Sequence, residues 1–195
     1  MFTKQMGKLA DVLIKNEIAK GQNKDVIVFG LSTGIELAFN IITTVVLGIM
    51  FGLVLESLIF LGSFSFIRTY AGGYHCEKAI NCYIMSSAIV VLVLFVVKFT
   101  PRDYILILSI VLLVVSVPIL LKIAPIEASN KPLDKDEFSY FRKKTILHLC
   151  IEAILILGLF VLSLYKFAFL ICLGLGISGG LIFMQRICCK KSLCS

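Results

Sequence analysis

Tryptophan is absent from this 195-residue chain, and charged residues make up only 16% of it. Hydrophobic residues make up 59%, and the mean hydropathy is +1.01. A water-soluble fold of this composition would have too little polar surface to cover its core. We therefore expect an integral membrane protein with a single domain over residues 1–195, because spans of about 20 residues take up most of the chain.

Three further absences argue against a metal site, nucleic-acid binding and a disulfide framework. HEXXH and CxxC spacings are missing, which argues against a zinc site, and we expect neither a metal nor another cofactor. No basic patch with interleaved aromatic residues stands free of the apolar segments, so nucleic-acid binding is not expected. The seven cysteines are odd in number, and in the topology below most face a reducing compartment, which argues against a disulfide framework.

Long apolar runs predict an all-α polytopic membrane protein with about six transmembrane helices. The run from Val26 to Ile67 is too long for one span and fits two helices joined near Phe51–Ser57. Four more runs follow, at residues 79–97, 104–121, 146–164 and 167–184. Ahead of them, residues 2–20 place apolar side chains at helical spacing among lysines, which predicts an amphipathic helix on the membrane surface within residues 1–25.

Basic residues are distributed unevenly between the two sides of this predicted bundle. With six spans and a cytoplasmic N-terminus, only Lys98, Arg102 and Lys166 of the 19 basic residues lie outside. The bias predicts a multi-pass protein of the bacterial cell membrane whose N-terminus, loop 68–82 and basic loop 122–145 face the cytoplasm. The net charge of +7 also favours attraction to anionic lipid.

The predicted loop at 68–82 holds most of the reactive side chains. It contains one of the two histidines and ends at a cysteine, in the order Arg68-Thr-Tyr-Ala-Gly72-Gly73-Tyr-His75-Cys76 and then Cys82. A cysteine acts as a nucleophile when a base or cation favours its thiolate, and this loop supplies both kinds of group. Cys76 adjoins His75, so its side chain diverges from the imidazole ring.

Cys82 lies seven residues beyond His75, so the chain must bend or reverse for the two side chains to meet. The nucleophile would then lie at the N-terminus of the next helix, where the helix dipole favours an anion. From the residues alone, two interpretations stay open: a catalytic pair, or a loop histidine beside an incidental cysteine.

Two patterns in the apolar runs carry weaker signals. His148 and Glu152 lie one helical turn apart, which favours a hydrogen-bonded pair near the membrane interface. Strings of the form GxGxxG and GxSxG occur within residues 174–180, but they lack the strand-turn-helix context that nucleotide-binding or hydrolase motifs require. These small residues favour a helix-packing surface instead.

The chain as a whole resembles the accessory gene regulator B (AgrB) family of bacterial membrane cysteine endopeptidases, which process the precursor of a cyclic quorum-sensing peptide. The resemblance rests on Arg68, the Ala-Gly-Gly-Tyr-His run ending at His75, Cys82, and the elements Ala124–Glu127 and Asn130–Leu133. It implies that His75 is the general base and Cys82 the nucleophile. It also implies that Arg68 and Gly73 belong to the active loop.

The resemblance further implies a reaction and its partners. The Cys82 thiolate would attack a peptide bond of an AgrD-like precursor peptide, release the C-terminal tail and hold the remainder as a thioester until a (thio)lactone ring closes. The amides of Gly72 and Gly73, or Arg68, could donate hydrogen bonds to the oxyanion. A homodimer in the lipid bilayer is also implied.

The basic loop has two open interpretations. Through Lys131, Lys135 and Lys143 it is a candidate for binding an acidic precursor tail, and it is equally compatible with a role in topology alone. The alternative function for the whole chain is a non-enzymatic peptide exporter or channel component. An exporter explains the spans but gives the histidine and cysteine of the loop no task.

Overall fold

The protein is described from a computed structural model, which covers residues 24–72, 79–126 and 134–192. Within these ranges the chain forms six α-helices and no strand: α1 Lys24–Phe51, α2 Val54–Ala71, α3 Ala79–Phe99, α4 Arg102–Ile123, α5 Lys135–Val161 and α6 Tyr165–Ser192. Each helix contains a stretch long and apolar enough to cross a membrane. The prediction of an all-α polytopic membrane protein with six spans is confirmed.

The largest difference from the predicted boundaries concerns α5. We expected this span to begin at residue 146, after a basic loop, but α5 runs unbroken from Lys135 to Val161. Asp134 occupies the N-cap position, and acidic residues fill the first turn, where they interact favourably with the helix dipole. The polar first turns therefore extend the membrane helix rather than form an element of their own.

Internal contacts divide the chain into two units, residues 1–43 and 44–195. In the first unit, the described part of α1 contains Asn40, whose Nδ2 donates to the backbone oxygen of Glu36 at 2.9 Å. The predicted amphipathic helix at residues 2–20 lies outside the described residues. The single-domain organisation and the cytoplasmic orientation of the N-terminus stay predictions.

In the second unit, α6 is the central helix. Of the residues in its span, 67% are buried, against at most 28% in any other span. Its glycines permit close packing: a Cβ at Gly174 would lie 2.7 Å from Ser63 Oγ of α2, and a Cβ at Gly179 would lie 3.3 Å from Ser116 Cβ of α4. The predicted packing surface is thus confirmed at Gly174, Gly176 and Gly179, but not at Gly180, where a Cβ would meet nothing within 4 Å.

Helix α2 lies between two groups of buried side chains. One of its faces places Phe60 and Phe64 against α3, with Val93 as a fully buried neighbour. Another face places Ile67 and Ala71 in a cluster with α4, α5 and α6. Consequently, α2 can present different side chains to α3 and to α5.

The two ends of this unit differ in chemistry. At one end, Lys166 at the start of α6 forms a 2.7 Å ion pair with Glu56 at the start of α2. At the other end, which we call the Cys82 end, α2 finishes, α3 begins, and Tyr70 contacts the ring of Phe141 near the start of α5. The predicted site residues that the structure describes lie at the Cys82 end.

The contact at Gly174 predicts an asymmetry between two glycines of the same helix. Gly174→Ala should lower stability by about 1–3 kcal/mol, because the new methyl group meets Ser63 Oγ and the backbone nitrogen of Phe64. Gly180→Ala is the matched control, since a Cβ there meets nothing within 4 Å. Thermal unfolding in detergent, followed by the reaction of a thiol dye with the buried Cys172, measures both. Equal unfolding midpoints would contradict the proposed packing.

Candidate active site

Arg68 and Cys82 come together across the connection between α2 and α3. Arg68 lies in the last turn of α2, and Cys82 lies in the first turn of α3. Arg68 Nη2 is 4.0 Å from Cys82 Sγ. The guanidinium also lies over the ring of Phe64, 5.5 Å from its centroid, a cation–π contact that helps to orient it.

Cys82 lies beside a cation at the start of a helix. The side chain is half-buried, a guanidinium is in contact with the sulfur, and the residue lies in the first turn of α3. Both a cation and a helix terminus stabilise a thiolate. The prediction that this cysteine lies at the N-terminus of the next helix is confirmed.

The residue expected to act as base is in the connection itself. His75 and Gly73 lie outside the described residues, so the pairing of His75 with Cys82 stays a prediction. Within the described ranges, no group of three or more His, Cys, Asp or Glu side chains is arranged to hold a metal ion.

Gly72 ends α2 in a conformation that glycine favours. Its φ is +76°, and its N–H donates to the carbonyl oxygen of Arg68. Because this amide is engaged in the helix C-cap, its use as an oxyanion donor would break a hydrogen bond. The amide of Gly73, another candidate donor, lies outside the described residues.

The connection from α4 to α5 packs against the end of α2, at Ala71 and Gly72. Ile126 N–H donates to the carbonyl oxygen of Ala71 at 3.2 Å, and a Cβ on Gly72 would lie 2.7 Å from Ile126 O. The Ala124-Pro125-Ile126 segment therefore fixes the position from which the loop containing His75 departs. This contact explains structurally why a glycine is needed at residue 72.

The candidate substrate-binding lysines are partly described. Lys135 and Lys143 are exposed on the first turns of α5, at the Cys82 end, and Lys131 lies outside the described residues. Two neighbouring cations have other contacts: Arg142 Nη2 donates to Leu121 O at 3.3 Å, and Lys144 Nζ lies 5.6 Å from the ring centroid of Tyr140. The two exposed lysines therefore offer their charges to solvent.

The expected pair of His148 and Glu152 is wrong. His148 Nδ1 donates to the backbone oxygen of Lys144 at 2.7 Å, while Glu152 Oε1 accepts from Ser63 Oγ at 3.0 Å. Both side chains are buried within the protein. The imidazole of His148 bonds the backbone carbonyl one helical turn earlier, and the close approach of α2 brings Ser63 to the carboxyl group of Glu152.

Sequence reasoning missed Ser63 as a functional candidate. It stands in an apolar run, and its hydroxyl spans 89 positions of sequence to reach Glu152. The available signals were Glu152 itself, since an ionisable residue within a span is costly, and Gly62 beside Ser63 on α2. Neither signal identifies the partner without the packing of α2 against α5 and α6.

The six apolar helices and the half-buried thiol at one end define a polytopic membrane protein with a cysteine site at the end of its helix bundle. The model of the accessory gene regulator B family, AgrB, matches residues 6–185. The chain belongs to this family.

Individual relatives agree with this assignment. The chain is 30% identical over 145 residues to a putative AgrB-like protein of Clostridium perfringens strain SM101, covering 71% of this chain and 68% of that protein. It is 31% identical over 128 residues to putative AgrB-like protein 2 of C. perfringens strain 13, covering 63% and 60%. It is 28% identical over 144 residues to protein FsrB of Enterococcus faecalis, covering 74% and 58%. No solved structure matches the chain.

The Arg68–Cys82 contact predicts that the guanidinium accelerates alkylation of Cys82. Arg68→Gln should slow the reaction with iodoacetamide at neutral pH by roughly threefold or more, because it removes the cation in contact with the reacting sulfur. Arg142→Gln removes a cation from the same end of the bundle without touching Cys82 and serves as the control. The rate is measured by mass spectrometry of the Cys82 peptide. An unchanged rate in Arg68→Gln would show that the guanidinium does not affect the reactivity of Cys82.

Proposed function

We propose that this protein is a membrane cysteine endopeptidase that removes the C-terminal tail of a quorum-sensing precursor peptide and promotes cyclisation of the remainder. Membership of the accessory gene regulator B family, with FsrB among the relatives, supports a role in the processing of such a peptide. The observation that carries the cysteine mechanism is the 4.0 Å contact between Arg68 Nη2 and Cys82 Sγ at a helix N-terminus.

The first half of the reaction forms a thioester. His75 accepts the proton of the Cys82 thiol, and the thiolate attacks the carbonyl carbon of the scissile peptide bond. The tetrahedral intermediate collapses as the C–N bond breaks. The leaving amine takes the proton from His75, and the C-terminal tail departs as a free peptide.

Arg68 acts in both states of the sulfur. Its guanidinium stabilises the thiolate before attack, and it can turn one of its five N–H groups toward the oxyanion once the sulfur is acylated. The amide of Gly73 is the second candidate donor. Contact with the ring of Phe64 restricts the guanidinium, which lowers the entropic cost of holding it at the sulfur.

The second half of the reaction closes the ring. A cysteine thiol or serine hydroxyl within the bound precursor gives its proton to His75 and attacks the thioester carbonyl. The bond from this carbonyl to Cys82 Sγ breaks, and Cys82 leaves as the thiolate, which can recover the proton from His75. The product is a thiolactone or a lactone, and the enzyme regains its nucleophile. The half-buried position of Cys82 favours ring closure over hydrolysis, because it limits access of water to the thioester.

The partners follow from this reaction. The substrate is an AgrD-like precursor peptide, and the exposed Lys135 and Lys143, with Lys131, offer positive charge to an acidic tail at the same end of the bundle as Cys82. The six apolar helices place the enzyme in the lipid bilayer. A homodimer, and a cytoplasmic location of the Cys82 end, belong to the proposal.

Substitution of the catalytic pair tests the mechanism. Cys82→Ala and His75→Ala should each abolish cleavage of the precursor while the protein still inserts into the membrane, because no other group replaces the nucleophile or its base. Cys76→Ala should keep most of the activity and is the matched control. The assay uses purified protein in detergent with synthetic precursor, without ATP or a gradient, and detects the released tail. An inactive Cys76→Ala with an active Cys82→Ala would reassign the nucleophile, and a wild type that never cleaves would favour an exporter.

Charge reversal tests capture of the tail. Replacing Lys131, Lys135 and Lys143 by Glu should raise the half-saturating precursor concentration about tenfold and change the saturated rate little, since these charges do not act on the scissile bond. Added salt should weaken the wild type in the same way, because exposed charges are screened beyond about 8 Å at physiological ionic strength. Cleavage rates of both proteins are measured across precursor concentrations at low and high salt, which gives the half-saturating concentration and the saturated rate of each. A loss confined to the saturated rate would leave the lysines as topology determinants.

A further inference from the structure

A cleft of about 270 Å³ opens between α2, α5 and α6, on a different face of α2 from Cys82. Its walls are apolar, with Phe66 from α2 and Leu155 from α5 as large side chains. Gly62, Phe66 and Leu155 are exposed, so the cleft opens sideways onto the surface that faces lipid. Such an opening admits a molecule from within the bilayer.

A polar pair lies in the wall of this cleft. Glu152 is only 3% exposed, its Oε1 accepts from Ser63 Oγ at 3.0 Å, and its Oε2 has no hydrogen-bond partner in the described part of the chain. Leaving a buried polar atom without a partner is unfavourable. The cleft therefore has apolar walls and one buried oxygen able to bond a ligand.

The chemistry of the cleft favours a peptide over a lipid. Acyl chains carry no hydrogen-bond donor, so a lipid chain in the cleft would leave Oε2 without a partner. A non-helical peptide segment within the bilayer has backbone N–H groups that need acceptors, and its apolar side chains match the walls. A peptide can thus satisfy both the apolar and the polar parts of the cleft.

The cleft is also within reach of the thiol. Ser63 precedes Arg68 by five residues on α2, about 7.5 Å along the helix axis. An extended peptide advances about 3.3 Å per residue. A few residues are therefore enough to pass around the end of α2 from the level of Ser63 to the level of Arg68. The same α5 that carries Glu152 exposes Lys135 and Lys143 at the Cys82 end, so one helix offers an apolar subsite and a cationic one.

We propose that the cleft at Ser63 and Glu152 is a binding subsite for an apolar segment of the precursor peptide, an inference that rests on the proposed function. A backbone N–H of the bound segment donates to Glu152 Oε2. The subsite holds substrate at a distance from the scissile bond. It therefore contributes to affinity for the precursor and not to the chemistry at Cys82.

A pair of glycine substitutions tests the subsite by filling it. Gly62→Leu adds a side chain to the wall of the cleft, at a position where a Cβ meets nothing within 4 Å. Gly158→Leu adds the same side chain to an exposed, equally unobstructed position of α5 outside the cleft. Gly62→Leu should raise the half-saturating precursor concentration about tenfold, with a saturated rate within about twofold of wild type. Gly158→Leu should change neither value.

Carbodiimide modification tests the role of the carboxyl group directly. Dicyclohexylcarbodiimide, an apolar reagent that enters bilayers, should modify Glu152, and excess synthetic precursor should protect it in the Cys82→Ala variant, where the peptide is not consumed. Glu152→Gln should remove the adduct at this position. Adducts are located by peptide mass spectrometry in vesicles of two phospholipid compositions.

The outcomes separate the subsite from the catalytic proposal. Protection by the precursor together with the affinity loss in Gly62→Leu supports the subsite, and protection is informative even if the wild type never cleaves. Absence of protection, or an unchanged half-saturating concentration in Gly62→Leu, overturns it. An adduct that responds to lipid composition and not to precursor would assign the cleft to lipid and likewise overturns it. Protection is read from adduct formation and not from cleavage, so it tests the subsite even if Cys82 is not the nucleophile, whereas the half-saturating concentration is measured only in a protein that cleaves.

Discussion

The close contact between α2 and α6 at Gly174 is the constraint on which the arrangement of the second unit depends. With no side chain at Gly174, Ser63 and the backbone of α2 pack directly on the central helix. The position of α2 then places Arg68 beside Cys82 on one side and Ser63 beside Glu152 on another. In a membrane, where burial of apolar surface drives helix association weakly, such backbone proximity is the main source of specific packing.

One helix consequently serves two chemical purposes. The face of α2 toward α3 presents a cation to a thiol, and the face toward α5 presents a hydroxyl to a carboxyl group. Separation on opposite sides of a single helix keeps the buried Glu152 away from the thiol that Arg68 contacts. A carboxylate beside Cys82 would compete for the guanidinium and disfavour the thiolate.

The sequence was sufficient for features that depend on local pattern and insufficient for those that depend on packing between distant helices. Six spans follow from apolar runs, and the position of Cys82 at a helix start follows from the polar, glycine-containing segment before it. The partners of His148 and Glu152 could not be derived, because helical spacing favoured a local pair. A backbone carbonyl and a serine 89 positions away bind these side chains instead. The length of α5 was missed because its first turns are polar and its apolar signal begins later.

The hydrogen bond from Ile126 to Ala71 has a consequence for exchanging parts between relatives. Two connections, α2 to α3 and α4 to α5, leave the described helices at adjoining points, with Gly72 against Ile126. A chimera that takes only one connection from a relative would pack that connection against the original sequence of the other connection. The natural unit of exchange is therefore both connections together with residues 71–72 and 124–126, although more than 50 positions of sequence separate the two segments.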